Sequence, residues 1–535
     1  MSRTPSPSTN NAQIDGSAYL ADRRAVLRML RGSGLTIGAL GAFGVNGLVA
    51  ALAGCSTTGS SGGNAAPAGT IAGGGTTVGS IRRSAYDPNR PYWLQGGFAP
   101  TKDTLDVSAL EVTGSIPSGL SGLFIRNGSN PALGESGHWF LGDGMVHGVR
   151  FEAGRALWYR NRYVETPMVH KSSGLAGGGP PGKGSNQSNV SAFAHAGKLF
   201  TSGEVGFPYE IDPTDLSTVG VYDFGGALQT SMTAHPKIDP VTGKMHFFGY
   251  GFTPPYLTYH VVDVEGRLER SEVIPVAGPT MIHDFAITDR EAVFWEGPVI
   301  FDLQEAIKMV QGQSGTFPFR WQPEYGSRIG ILPFGEPGAS TRWVEIDPCY
   351  VFHGVNAFRD DEKVVVDVCR LPSAFSATGD LTTTNAIHRW TVDTSGEKLT
   401  FADERRSDEQ LDLPGIDRRF VGHEHRHAWF AMTDKETSDF PFDLGGIHRM
   451  DYQTGASDVW DPKGRERAGE GVFVAGGDGE GEGWILTFSH DQTSDKSDLV
   501  IFDALGMQAG PIARVHIPAR VPYGFHGWWL PLPAG

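Results

Sequence analysis

The stretch SMTAHPKIDPVTGKMHFFGYG, residues 231–251, combines the two signals that decide the fold. Segment Asp239–Gly243 has the Asp, Pro, Thr and Gly of a tight turn, and the apolar run Met245–Tyr250 after it is typical of a short β-strand. His235 precedes a proline just before this turn and strand. One histidine in such a position indicates little, so its meaning depends on whether other histidines share its context.

The same strand-and-turn pattern continues along the chain. Strand-like runs include EAVFWEG (291–297), EKVVVDVCR (362–370) and EGWILTFSHD (482–491), and a turn pair recurs in DYQTGA (451–456). Only DLQEAIKMV (302–310) is typical of a helix. About twenty-five short strands without a dividing linker predict an all-β fold built by radial repetition, a β-propeller. A pair of β-sandwiches is the alternative, because no repeat of fixed period is visible.

The composition is that of a globular domain and excludes some functions. Of the 535 residues, 39% are hydrophobic and 19% charged, which is enough apolar material for a large core. The 60 acidic residues outnumber the 44 basic ones, and the resulting net charge of −16 argues against binding nucleic acid through its phosphates. It fits a neutral or apolar substrate. Three cysteines are too few for a disulfide framework.

Residues 1–54 are predicted to be an export signal rather than part of the fold. Arg23 and Arg24 resemble the paired arginines of a twin-arginine signal, and Leu52–Cys55 resembles a bacterial lipobox. Cys55 would then be the lipidated first residue of an exported, membrane-anchored lipoprotein on the periplasmic or cell-surface side. An uncleaved membrane anchor is the alternative. Residues 55–86 are predicted to be a tether rich in Gly, Ser, Thr and Ala, and residues 87–535 the folded domain.

Four histidines share one sequence context: His235, His283, His353 and His526. Each lies at or near the start of a strand-like run and precedes a Pro, Asp or Gly that would fix the local backbone. A single histidine is more often a surface or core residue than a metal ligand. The innermost strands of a propeller converge on its axis, however, so four histidines from four inner strands can meet at one point although they are far apart in sequence.

Seven ordered motifs between about Tyr92 and Pro531 resemble the carotenoid cleavage oxygenase family, which also includes lignostilbene dioxygenases and the retinoid isomerase of the eye. The motifs are GLFIRNGSNP, HWFLGDGMVHGVRF, TSGEVGFPYEID, TAHPKIDPVTGK, MIHDFAIT, FHGVNAF and FHG. The resemblance implies a seven-bladed β-propeller whose loops form a cap over a substrate tunnel. It also implies one non-haem Fe(II) per chain on the axis, held by His235, His283, His353 and His526, with O2 as co-substrate.

The residue types of this expected site suit the chemistry. Neutral imidazoles suit Fe(II), and four of them leave positions on a six-coordinate ion for dioxygen. A histidine ligand also needs an acceptor on its other ring nitrogen. The resemblance implies three carboxylates in this role: Glu204 for His283, Asp412 for His353 and Glu470 for His526. Aspartate at position 412 replaces the usual glutamate of the family and is one methylene shorter. A turn or a solvated face is the alternative role for each carboxylate.

Five other histidines have weaker claims to a metal. His423, His425 and His427 alternate in VGHEHRHAWF and would project from one face of a strand. Neighbours on such a face lie about 7 Å apart, too far for all three to bind one ion. His138 and His147 flank GDGM and are expected to form hydrogen bonds in a turn.

The expected function is oxidative cleavage of a conjugated carbon–carbon double bond of a carotenoid or apocarotenoid by O2, with aldehyde products. Phe352 and Phe525 precede two of the expected ligands, and they either line the substrate tunnel or pack between blades. The expected partners are an apolar conjugated small molecule and, through the lipid, a membrane surface. Nucleic acid is not an expected partner.

Three alternative functions remain open at this point. A lignostilbene dioxygenase on the same scaffold would hold a phenol with a tyrosine and a lysine, for which Tyr163 and Lys171 are candidates by position alone. An isomerase would use the same iron scaffold without incorporating oxygen from O2. A surface-anchored binding propeller without catalysis would have no need of the four histidines and their carboxylates.

Overall fold

The computed structural model describes residues 86–169, 184, 186–310, 317–375, 385–434 and 436–532. The predicted export signal and nearly all of the predicted tether lie outside the described residues, so both stay predictions. Regular structure within these ranges is almost entirely β, and the one α-helix found there is α1 (Leu303–Val310), in the segment predicted to be helical. None of the described helices is long and apolar enough to cross a membrane.

Seven antiparallel sheets of four to six strands form the blades of the predicted propeller, which excludes the pair of β-sandwiches. Blade 1 contains β1 (Asp106–Val107), β3 (Gly122–Ser129), β4 (Gly144–Glu152), β5 (Arg155–Tyr163) and β33 (Gly527–Pro531). Blade 2 contains β6 (Ser191–His195), β7 (Lys198–Ser202), β8 (Tyr209–Ile211) and β9 (Thr218–Val221). Blade 3 contains β10 (Lys237–Ile238), β11 (Met245–Tyr250), β12 (Leu257–Val262) and β13 (Leu268–Val273).

The remaining four blades follow in chain order. Blade 4 contains β14 (Ala286–Ile287), β15 (Glu291–Glu296), β18 (Ser327–Pro333) and β19 (Arg342–Ile346), and a separate hairpin pairs β16 (Val299–Phe301) with β17 (Phe319–Trp321). Blade 5 contains β20 (Tyr350–Asp360), β21 (Lys363–Leu371), β22 (Ala386–Asp393) and β23 (Thr400–Ser407). Blade 6 contains β24 (Leu411–Ile416), β25 (His427–Thr433), β26 (Leu444–Asp451) and β27 (Ser457–Trp460). Blade 7 contains β2 (Val112–Gly114), β28 (Glu466–Ala468), β29 (Val472–Ala475), β30 (Gly483–Asp491), β31 (Lys496–Asp503) and β32 (Ala513–Ile517).

The opening sequence stretch forms the first hairpin of blade 3. The carboxylate of Asp239 accepts hydrogen bonds from the backbone N–H of Val241, at 2.8 Å, and from the Thr242 hydroxyl, at 2.5 Å. Gly243 completes the turn with a φ of 69°, a left-handed conformation that glycine adopts without strain. Strand β11 is buried along its whole length, whereas the outer strand β13 alternates half-buried and exposed residues. Burial on both faces explains the continuous apolar run of β11.

Both ends of the folded chain close the ring. The last strand, β33, pairs with β3 in blade 1, and the early strand β2 pairs with β32 in blade 7. Inner strands of neighbouring blades contact each other around the centre, as β20 does with β14 and β24. The core lies between the blades, where large rings such as Phe285 and Phe294 are fully buried and stack with centroids 5.7 Å apart. Closure leaves the inner strands at fixed positions around one axis.

Replacing Trp529, on the closing strand β33, is expected to destabilise the fold. The indole is 9% exposed and packs against the ring of Phe151 in the core between blades 1 and 7. Trp529→Ala should lower the free energy of unfolding by about 3–5 kcal/mol, because it leaves a cavity at the ring closure. Guanidinium unfolding followed by far-ultraviolet circular dichroism measures this. As a control, Val219→Ala, at a 63% exposed position of β9, should change stability by no more than about 0.5 kcal/mol. Equal losses of stability in the two variants would contradict the role of Trp529 in closing the ring.

Candidate metal centre

The structure brings the four predicted histidines together at the centre of the ring. One ring nitrogen from each of His235, His283, His353 and His526 lies within 4.8 Å of the others. The Nε2 atoms of His235 and His283 are 2.9 Å apart, and those of His353 and His526 are 3.2 Å apart. No other group of three or more potential metal ligands occurs in the part of the chain that the structure describes. Binding of iron by this group stays a prediction.

The inner strands place these side chains. His235, His283 and His526 each lie a few residues before the first residue of an inner strand, β10, β14 or β33. His353 lies within β20, where the pairing register with β21 shifts on both sides of Gly354. Such a bulge re-aims a side chain out of the regular alternation. A Cβ atom on Gly354 would lie 2.7 Å from the Trp295 ring, so the bulge needs glycine after the histidine.

Each predicted carboxylate contacts the predicted histidine. Glu204 Oε1 lies 2.5 Å from His283 Nδ1, Asp412 Oδ1 lies 2.6 Å from His353 Nδ1, and Glu470 Oε1 lies 2.9 Å from His526 Nδ1. Glu470 also accepts the backbone N–H of Gly527 at 2.6 Å, which joins blades 7 and 1.

The short side chain of Asp412 reaches its histidine because the backbone of β24 is irregular. The pairing of β24 with β25 shifts register between Asp412 and Gly415. Leu413 adopts a φ of 50°, and its backbone N–H donates to Asp412 Oδ1 at 2.9 Å. Such a bulge re-aims a side chain, here that of Asp412 toward His353. The pKa of Asp412 is lowered: burial alone would raise it, but the contact with His353 and the N–H of Leu413 outweigh burial.

The electrostatics of the centre fit a bound cation. Burial holds the pKa of His235 well below its usual value, with a further contribution from the other three imidazoles. Burial also lowers the pKa of His353, whereas at His283 burial is outweighed by the charge of Glu204, which raises the pKa.

The orientation of the rings completes the fit. With Nδ1 of three rings 2.5–2.9 Å from carboxylate oxygens, their Nε2 lone pairs face one another at the centre. Facing lone pairs and three carboxylate charges favour a divalent metal ion at their meeting point. An all-imidazole donor set matches the borderline ions of the first transition row, including Fe(II).

Two cavities lie on opposite sides of the histidine layer, and His353 and His526 line both. Chamber 1, with its mouth, holds about 1260 Å³ of space free of protein atoms, and its wall is mostly aromatic and aliphatic. Phe352 and Phe525 belong to this wall and are also packed in the aromatic core, so both roles considered for them are met. Chamber 2 extends along the axis on the other side and is lined by polar as well as apolar side chains.

The remaining histidines lie away from the centre. His138 accepts a hydrogen bond from the N–H of Phe140 in a short turn of helix, as predicted. The prediction of a turn was wrong for His147, which lies within β4 with its Nδ1 2.9 Å from the Tyr159 hydroxyl.

The sequence HEHRH does not form a strand along its whole length. Strand β25 begins only at His427, and residues 421–426 before it form turns, bends and irregular backbone, so the expected face of three histidines does not exist. Sequence reasoning also missed two residues beside the centre. Tyr250 donates its hydroxyl hydrogen to Glu204 Oε2 at 2.9 Å, and Asp284 contacts the segments of three histidines. In the sequence, only the position of Asp284 directly after His283 indicates that it lies near the centre.

The fold and the four-histidine centre define a class of β-propeller with converging histidines on its axis. Residues 98–531 match the sequence profile of the family described as retinal pigment epithelial membrane protein. The chain belongs to this family, the carotenoid cleavage oxygenases, as the sequence motifs predicted.

Relatives and solved structures cover almost the whole domain. A carotenoid cleavage oxygenase of Mycobacterium tuberculosis is 33% identical over 513 residues, covering 84% of this chain and 99% of that relative. Carotenoid 9,10(9',10')-cleavage dioxygenase 1 of Phaseolus vulgaris is 31% identical and covers 83% and 90%. The structure of Pseudomonas brassicacearum lignostilbene dioxygenase is similar with a TM-score of 0.75 at 26% identity, and a variant of Synechocystis apocarotenoid oxygenase with 0.72 at 25%. Both cover 84% of this chain and 100% of the other.

Replacing Asp412 by asparagine is expected to weaken metal binding. Asp412→Asn keeps the size of the side chain but removes the charge that holds the imidazole of His353. The dissociation constant for Co(II) or Fe(II), measured anaerobically by chelator competition, should rise by about 10- to 100-fold. Asp403 provides a matched control, because it contacts His388 Nδ1 at 2.7 Å in the outer strands of blade 5. Asp403→Asn should leave metal affinity unchanged; a loss as large as that in Asp412→Asn would contradict the role of Asp412.

Proposed function

We propose that this protein is an Fe(II)-dependent dioxygenase that cleaves a conjugated double bond of a carotenoid or apocarotenoid to aldehyde products. The observation that carries the proposal is the position of three of the four converging imidazoles, which form part of the wall of the large apolar chamber 1. A substrate in this chamber lies directly against the histidine layer. The names of the relatives, carotenoid cleavage oxygenase and carotenoid cleavage dioxygenase, support the same reaction.

The four histidines would hold the iron through one ring nitrogen each. Three of their rings, all except that of His235, would be fixed by the carboxylates of Glu204, Asp412 and Glu470. Bound iron supplies the oxygen chemistry that cleaves the double bond. The part of these carboxylates is to orient three of the rings, with Nδ1 toward the carboxylate and Nε2 toward the ion site. Tyr250 in turn fixes Glu204 by donating to its second oxygen.

Chamber 1 suits an extended apolar substrate. Its wall carries rings such as Phe140, Phe317 and Phe352, which can pack against a flat conjugated chain. No lysine or arginine occurs among the described residues that line it. Its carboxylates already face imidazoles, and Asn189 already donates to the carbonyls of Phe140 and Gly142. The reaction partner is therefore bound by shape and apolar contact rather than by charge.

The described part of this wall does not contain the tyrosine–lysine pair considered for the stilbene alternative. The Tyr163 hydroxyl lies outside chamber 1, where it is 2.7 Å from Asn130 Nδ2, and Lys171 lies outside the described residues. Tyr250, the one tyrosine among the described residues of the wall, already donates to Glu204. Because the fold is similar to that of a lignostilbene dioxygenase, the product assay should include a phenolic stilbene as a competing substrate.

A product assay under ¹⁸O₂ tests the proposal. The iron-loaded protein should convert a β-apocarotenal or carotenoid to shorter aldehydes that carry ¹⁸O, measured by mass spectrometry after rapid trapping of the carbonyls. His353→Ala, which removes one imidazole from the centre, should lose the activity. Faster cleavage of a phenolic stilbene would favour the alternative substrate class. Isomerised product without ¹⁸O would favour an isomerase, and a purified protein that neither holds nor takes up iron would contradict the proposal.

We further propose that the chain is exported and anchored by a lipid on Cys55. The support is the sequence alone, with Arg23 and Arg24 before an uncharged stretch and the lipobox-like Leu52–Cys55. A lipid anchor would hold the enzyme at a surface where carotenoids dissolve. In a bacterial host, the protein should incorporate labelled fatty acid and fractionate with membranes. Cys55→Ser should abolish the labelling, and R23K/R24K should retain the precursor in the cytoplasm. Labelling that persists in Cys55→Ser would contradict this assignment.

A further inference from the structure

Asp284, directly after His283, has the most connected carboxylate near the centre. Its side chain is 2% exposed. Oδ1 lies 2.8 Å from the ammonium nitrogen of Lys237 and accepts the backbone N–H of Phe285 at 2.7 Å. Oδ2 accepts the backbone N–H of Gly354 at 2.9 Å. One buried carboxylate thus joins strands from blades 3, 4 and 5.

Each of these contacts ends beside a histidine of the centre. Lys237 is the second residue after His235, and Gly354 is the residue after His353. Asp284 itself follows His283, so a single side chain connects the segments of three of the four histidines. It does not belong to the wall of chamber 1, which would hold the substrate, but to that of chamber 2 on the opposite side.

His235 is the histidine that most needs such a connection. The other three rings each have a carboxylate on Nδ1, whereas no contact of His235 with a carboxylate occurs among the described residues. Thr233, two residues before His235, donates its hydroxyl hydrogen to the carbonyl of His283 at 3.1 Å. Lys237, two residues after it, contacts Asp284. The segment of His235 is therefore tied to that of His283 on both sides.

The Lys237–Asp284 pair also matters for charge. Lys237 is 21% exposed and faces chamber 2 beside the histidine layer. Without Asp284, its ammonium would be an uncompensated positive charge close to a site for a divalent cation. At low dielectric such a charge strongly disfavours a second cation nearby.

We propose that Asp284 is a positioning residue that fixes His235, His283 and His353 relative to one another, through Lys237 and through the N–H of Gly354. The inference rests on the proposed function, because it assumes that the histidines hold a metal ion. Asp284 touches neither the ion site nor the substrate chamber. Its effect is to keep three imidazoles, from three separate blades, at the spacing that one ion requires.

Asp284→Asn tests this role with little change in shape. The amide oxygen can still accept from Gly354, but the charge that pairs with Lys237 is lost. The dissociation constant for Fe(II), measured by anaerobic chelator competition, should rise by about tenfold or more. The electron paramagnetic resonance signal of the Fe(II)–nitric oxide adduct should change in rhombicity, because the ligand geometry changes. Wild-type affinity together with a wild-type signal would overturn the proposal.

The double variant K237M/D284N separates charge from the mere loss of a contact. It removes the ammonium together with its partner, so its metal affinity should be higher than that of Asp284→Asn. An affinity equal to or below that of Asp284→Asn would overturn the part assigned to Lys237. If Asp284→Asn fails to fold, Lys237→Met replaces it in the test, because this variant removes only the contact between Asp284 and the His235 segment. Wild-type metal affinity and a wild-type resonance signal in Lys237→Met would overturn the proposal.

A matched control is available in the same two blades. Glu291 of β15 and Arg359 of β20 form a buried ion pair between blades 4 and 5, six residues along β20 from His353. Glu291→Gln should lower the melting temperature but leave the metal affinity and the resonance signal at wild-type values. If Glu291→Gln also alters metal binding, the effect of Asp284→Asn is a general result of losing a buried ion pair. That outcome would overturn the specific role of Asp284. Wild-type protein that binds no metal would instead contradict the proposed function.

Discussion

Convergence of seven blades on one axis is the constraint on which the rest of the structure depends. Each blade supplies one polar side chain to the centre: blades 1, 3, 4 and 5 supply histidines, and blades 2, 6 and 7 supply the carboxylates Glu204, Asp412 and Glu470. No two of these seven side chains come from the same sheet. The geometry of the centre is therefore set by the packing between blades, and the pairing of β33 with β3 holds that packing in a closed ring.

This arrangement explains how buried polar groups are tolerated on the axis of an otherwise apolar core. An unpaired imidazole or carboxylate would be costly to bury. Here each of three carboxylates faces an imidazole, and a fourth, Asp284, faces Lys237 and two backbone N–H groups. The histidine layer also divides the axis into an apolar chamber and a more polar one. Glu204 and Asp412 line the apolar chamber, whereas Asp284 and Glu470 line the more polar one, so carboxylates support the histidine layer from both chambers.

Two of the departures from regular strand geometry lie at the centre. His353 sits at a bulge of β20, and Asp412 sits at a bulge of β24 followed by Leu413 at positive φ. Irregular backbone of this kind costs energy and persists where the surrounding packing determines it. In both strands the irregularity turns a side chain toward the axis.

Turn pairs and apolar runs, which are local signals, predicted the fold class, and the context of four histidines singled them out. The resemblance of the ordered motifs to the carotenoid cleavage oxygenase family implied their role as ligands and the three carboxylates beside them. The sequence also placed the helix at α1. It did not determine the strand register at Asp412, the links made by Asp284, or the true context of His147 and of the HEHRH segment. Those features depend on contacts between blades and on where a strand begins or bulges. Such contacts join residues far apart in the chain, so only the closed ring decides them.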